Sequence, residues 1–262
     1  MTAVLQEDTL PSVRTPSGRA VGLGRLTLVE LRKLADTRAG LWLLIIIALA
    51  TAGTSAIQIG WADDADQNLA GFFGFALLPS AILLPVLGIL SMTAEWSQRT
   101  ALTTFTLVPA RERVIVAKLL AGTLIAIAST VAMMVIAAAG NLLAGALGGD
   151  GGWDIPGSLI WQGMAMQILF VLMGMAFGAL LLNSPLAIVL YLALPMVWGI
   201  LGSTISALRD ASGWLDINTT TAAMTEAGMT GGEWARVGVS AAVWVLLPLM
   251  IGIVRVLRRE IS

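Results

Sequence analysis

The chain has 262 residues, 57% hydrophobic and only 12% charged, with a net charge of −1 and a mean hydropathy of +0.88. Soluble domains are usually about 25% charged, and the apolar runs here are too long for a soluble core, so a bilayer is the natural solvent. The absence of cysteine and histidine excludes disulfides, thiol nucleophiles, sulfur-bound metals and imidazole bases.

Residues 1–22 are polar, carry Pro11 and Pro16 and lack an apolar leader, and read as a flexible cytosolic tail. Residues 23–39 read as an amphipathic interfacial helix on the inner leaflet, with an ordinary basic juxtamembrane stretch as the simpler alternative. Arg25, Arg32 and Asp36 share one side of this helix, with Leu23, Leu26, Leu31 and Leu34 largely opposite. Glu30 and Arg38 interrupt the stripe. Glu30 with Lys33, and Arg32 with Asp36, have spacings that suit ion pairs.

Apolar runs over 40–60, 72–94, 117–147, 158–182, 185–207 and 236–254, charged only at Lys118 and Arg236 near their ends, predict six transmembrane helices within a 40–254 membrane domain. Each is about long enough for a hydrocarbon core of ~30 Å. The third is over-long and is expected to tilt or project. Pro79 and Pro85 in the second span, Pro195 in the fifth and Pro248 in the sixth predict bends. In the fourth, Gly174 and Gly178 form a small-xxx-small packing pair, and Met164, Met166, Met173 and Met175 read as adaptable packing. Asn183-Ser184-Pro185 predicts a tight turn in which proline opens the fifth helix.

Thirteen of the fifteen basic residues lie before the first span, between the second and third, or after the sixth. The other connections carry Asp63, Asp64, Asp66, Asp150, Asp154, Asp210, Asp216, Glu226 and Glu233. The basic side is cytosolic by the positive-inside rule, so both termini, including a 255–262 tail, are expected inside a bacterial cytoplasmic membrane. The longest opposite segment, 208–235, reads as a solvated loop anchored by Trp214 and Trp234; an interfacial or re-entrant helix is the alternative.

The spans hold almost no ionisable side chain; Glu95 marks the end of the second and Arg236 the start of the sixth. Ion-coupled carriers usually keep such groups at mid-depth. No histidine-based dyad is possible, serines such as Ser129 and Ser158 lack a base, and no GxxxxGK[ST] loop is present. The chain reads as a non-enzyme without its own cofactor and without a nucleic-acid partner.

The connection between the second and third spans, about 95–117, is richer than a mere link. Leu102, Phe105 and Leu107 would be costly in water and suggest docking against a partner or the membrane surface. Glu95, Arg99, Thr100, Pro109, Arg111 and Lys118 follow the order of an acidic span end, a polar segment, a proline, basic residues and a lysine opening the next span. In this the chain resembles the membrane subunit of type-2 ABC exporters. The motif covers only about 23–38 and 92–120; the six spans agree as layout. The resemblance implies a permease that moves a hydrophobic or amphiphilic substrate outward, paired with a second permease copy or paralogue. It also implies separate ATPase subunits that hold ATP and magnesium, and a path lined by the second and fifth spans. Carried over residue by residue, Glu95, Trp96, Gln98, Arg99, Thr100, Leu102, Phe105, Arg111 and Arg113 are the coupling candidates. Arg25, Glu30, Arg32, Lys33 and Asp36 are the corresponding candidates on the interfacial helix. The alternative is a non-transporting scaffold or immunity protein that binds an amphiphile without ATP. An ion-coupled carrier is a third, disfavoured possibility.

Overall fold

The computed structural model describes residues 22–98, 100 and 110–258, and every regular element among them is helical. A surface helix, α1 (Leu23–Asp36), leads into α2 (Arg38–Trp61), α3 (Leu69–Ser97), α4 (Arg111–Leu147), α5 (Gly157–Leu181) and α6 (Ser184–Thr204). Two short helices, α7 (Arg209–Leu215) and α8 (Ile217–Ala222), precede the last long one, α9 (Gly231–Arg258). Six helices, α2–α6 and α9, are long and apolar enough to cross a membrane. The protein is therefore an all-α, multi-pass membrane protein.

Helix ends follow local chemistry. Thr37 separates α1 from α2 and accepts a hydrogen bond from the Gly40 amide. Arg38 consequently belongs to α2, and its expected place on the surface helix is corrected. Asn183 caps α6 by accepting from the Leu186 amide, and Pro185 stands in the first turn as expected. The price of so short a turn is a left-handed Leu182, at φ 52°. α4 begins at Arg111, six residues ahead of the predicted start, so Arg111 and Arg113 lie on a helix instead of in a loop.

Packing centres on α3 and α5, whose most apolar stretches are 50% and 56% buried, against 22% for α2 and α6. Lipid offers apolar surface no less than a neighbouring helix does, so association depends on close van der Waals fit. Gly174 faces the Pro85 carbonyl so tightly that a Cβ would overlap it, and a Cβ on Gly178 would lie 3.0 Å from the Ile89 carbonyl oxygen. Both glycines thus lie at the α3–α5 contact. Met166, Met173 and Met175 fill the buried interior around them. α2, α4 and α6 turn Trp42, Leu49, Val135, Val189 and Met196 outward, as lipid-facing helices do.

Two of the prolines leave local marks on their helices. Pro79 leaves the Phe75 carbonyl without its helical donor, and Thr54 of α2 makes a long, 3.5 Å hydrogen bond to it. Ahead of Pro248, α9 widens into a π turn over Ala242–Leu246.

The segment expected as a solvated loop is folded. Asp216 caps α8 by accepting from the Asn218 amide and the Thr219 hydroxyl, and Ile217, Thr220, Thr221 and Met224 are buried. Trp244 of α9 donates to the Leu215 carbonyl at 2.6 Å, and Gln162 of α5 donates to the carbonyls of Met224 and Glu226. Trp161 stacks on Trp234, and Arg236 sits over Trp214. Satisfied backbone groups and shared apolar surface fasten this segment to the bundle; Trp214 and Trp234 serve those contacts.

Candidate functional site

Two ends of the bundle differ in charge. One end gathers α1, the start of α2, the end of α3, the start of α4 and the ends of α5 and α9. There Arg111 reaches the carbonyls of Val256 and Leu257, and Arg255 reaches that of Leu180. The far end brings together the connections at 62–68 and 148–156, through Leu69 N–H to the Gly152 carbonyl and Gly151 N–H to the Gln67 carbonyl. The first end carries Arg25, Arg32, Lys33, Arg38, Arg111, Arg113, Arg255 and Arg258; the far end carries Asp63, Asp64, Asp66, Asp150 and Asp154.

At the basic end four charged side chains close a ring. Lys118 of α4 donates to Glu30 Oε2 of α1 at 2.7 Å, to Glu95 Oε1 of α3 at 2.7 Å and to the Ser91 carbonyl at 2.9 Å. Its three ammonium protons are thereby all engaged. Lys33 completes the ring, 2.7 Å from Glu30 Oε1 and 3.3 Å from Glu95 Oε1. The side chains of Lys118, Glu30 and Glu95 are 6%, 7% and 6% exposed, whereas Lys33 is 44% exposed. All ion pairs within 4 Å among the described residues belong to this ring. The two charges of each sign cancel, which is the condition for keeping ionised groups away from water.

Partial burial works against the charged form of Lys33. The hydrogen bond that Lys33 donates to Glu30 and the fields of Glu30 and Glu95 outweigh it, so its pKa lies above the ordinary value.

The ring explains why Glu30 interrupts the polar stripe of α1. It points inward with Leu34, which packs on Leu87 and Ala121. Arg25, Arg32 and Asp36 are exposed, and the expected Arg32–Asp36 pair does not form within 4 Å. Trp96 is half-buried against the core of the bundle, and Gln98 and Thr100 are exposed just beyond α3. Arg111 is engaged at the carboxyl end of α9, where a cation meets unpaired helix carbonyls. Arg113 lies in the first turn of α4. Arg99, Leu102 and Phe105 lie outside the described residues. Of the expected site residues, Glu30, Lys33 and Glu95 are therefore brought together. Lys118, read only as the residue opening a span, is the centre of the group.

Two cavities accompany these helices. One, of about 420 Å³, lies beside the ring between α1, α2 and α3. The other, of about 280 Å³, lies between α3 and α6, where Leu78, Ile82, Phe170, Tyr191, Met196 and Asn218 are among its walls. No group of three or more acidic residues among the described ones is arranged to hold a metal ion.

Fold and site define a membrane protein with six helices long enough to span a bilayer and a largely buried charge ring at its basic end. Comparison with known protein families finds none that matches the chain, and no curated protein matches it either.

Proposed function

We propose that the chain is the permease subunit of an ATP-driven exporter of the type-2 ABC kind. In this reading separate ATPase subunits bind ATP and supply the energy, and a second permease, identical or paralogous, completes the path. The observation that carries this reading is the Lys118 bridge to Glu30 and Glu95. It ties the surface helix to both span ends that flank residues 98–110, so a push on either is felt by α3 and α4 together. Rigid elements joined in this way can transmit a two-state change along the bundle.

The basic end faces the cytosol in this reading, where a soluble ATPase would meet it. The 280 Å³ cavity between α3 and α6, the second and fifth spans, offers the cargo a mainly apolar wall with polar groups at Tyr191 and Asn218, which suits a hydrophobic or amphiphilic substrate. A tagged chain purified gently from its native membrane should bring down a stoichiometric ATP-binding subunit. A homogeneous preparation lacking one, in a detergent that keeps a known ABC complex intact, would favour the ATP-independent scaffold instead.

A further inference from the structure

We infer that the 420 Å³ cavity between α1, α2 and α3 binds an anionic amphiphile, a phosphate-bearing lipid headgroup with an acyl chain, drawn from the leaflet on the α1 side. Its volume falls in the ~300–1,000 Å³ range of small-molecule sites. Leu87, Leu90 and Ala94 supply apolar wall, and Lys33, Ser91 and Thr100 stand among the polar groups. That pairing of a greasy wall with a few polar groups suits a ligand with a head and a tail.

Two observations select the head. Lys33 has three donors, of which Glu30 and Glu95 take two, and its side chain is nearly half exposed. Ser91 is 93% buried by its 7% exposure, and its hydroxyl has no hydrogen-bond partner. Such a group is normally satisfied by protein, water or ligand. Around them Arg25, Arg32 and Arg38 are exposed on the same end, so the surroundings favour an anion. The source of the ligand follows from the outer surface. α1 exposes Leu28 and Val29, and α2 exposes Leu41 and Trp42, so the helices bordering the cavity stand in lipid.

The inference does not rest on the transport reading and survives if no ATPase accompanies the chain. The test uses the purified full chain, with any subunit that stays bound, in uncharged maltoside micelles. Dioleoyl phosphatidylglycerol, dioleoyl phosphatidylcholine and inorganic phosphate are titrated in turn, with binding read by native mass spectrometry and the unfolding midpoint. Phosphatidylglycerol should saturate at one per chain and bind about fivefold tighter than phosphatidylcholine, as one lysine near an anionic headgroup warrants. Lys33→Gln should abolish that preference, and Ala94→Leu or Leu90→Trp, either of which fills the cavity, should abolish the saturable binding. Equal binding of both lipids to the unaltered chain would overturn the proposal, as would unchanged phosphatidylglycerol binding in a folded cavity-filling variant. Inorganic phosphate stabilising as well as phosphatidylglycerol would mark a soluble-anion site and overturn the lipid assignment.

Discussion

The Lys118 ammonium lies 2.7 Å from a Glu30 oxygen and 2.7 Å from a Glu95 oxygen, joining residues 88 and 23 positions apart in sequence. Removing one member of a buried charge set leaves the others uncompensated, which typically costs ~3–5 kcal/mol. Lys118→Met should destabilise the folded chain by about that amount. The triple variant Glu30→Met/Lys118→Leu/Glu95→Met should recover most of the loss, because no buried charge then lacks a partner. Denaturant unfolding in mixed micelles checks both, and a triple variant weaker than the single would refute this account of the ring.

Lys33 gives the α1 contact a pH signature. Its pKa is raised, so its contribution is complete below the unfolded value of 10.5 and is lost as pH rises through the higher folded value. A fluorophore on Arg25→Cys, the chain's sole cysteine by construction, should report docked α1 unchanged from pH 7 to 9. Release should begin only at more alkaline pH; release near neutrality would contradict the assignment.

At the α3–α5 contact, Gly174→Leu should cost about 1–3 kcal/mol, because a side chain there meets the Pro85 backbone, which cannot rotate away. Thermal unfolding against the exposed control Gly53→Ala measures it, since nothing lies within 4 Å of a Cβ at Gly53. Equal behaviour of the two variants would mean that the helices do not approach so closely.

The folded segment between α6 and α9 depends on Trp244. Trp244→Phe removes the indole donor to Leu215 and should weaken local protection by about 1 kcal/mol. Hydrogen exchange over residues 209–222 should quicken roughly fivefold while the long helices stay unchanged. No change there would show that the segment is held by other contacts.

The spans were legible because nearly charge-free apolar runs of about twenty residues have few alternatives in a folded chain; Gly174, Gly178 and the Pro185 turn followed from equally local rules. α7 and α8, with 7 and 6 residues, are too short for periodicity to reveal, and they are held by distant groups, Trp244 on Leu215 of α7 and Ser240 on Thr220 of α8. One local signal was available: Thr230 and Glu233 form a capping box that opens α9 ahead of its predicted start. Glu30 was visible as a flaw in the α1 stripe, and Lys118 as a lone lysine ahead of an apolar run. Their meeting with Glu95 is tertiary, and no spacing rule predicts it.

The central claim is that the ring transmits ATPase motion to the spans. Its most direct test is substrate-stimulated ATP hydrolysis by the chain reconstituted with its co-purifying ATPase, comparing the unaltered protein with Glu95→Gln at equal folded yield. The account predicts that stimulation falls about tenfold or more while membrane insertion and ATPase association persist, a loss equivalent to ~1.4 kcal/mol or more of coupling. Undiminished stimulation in Glu95→Gln would contradict it.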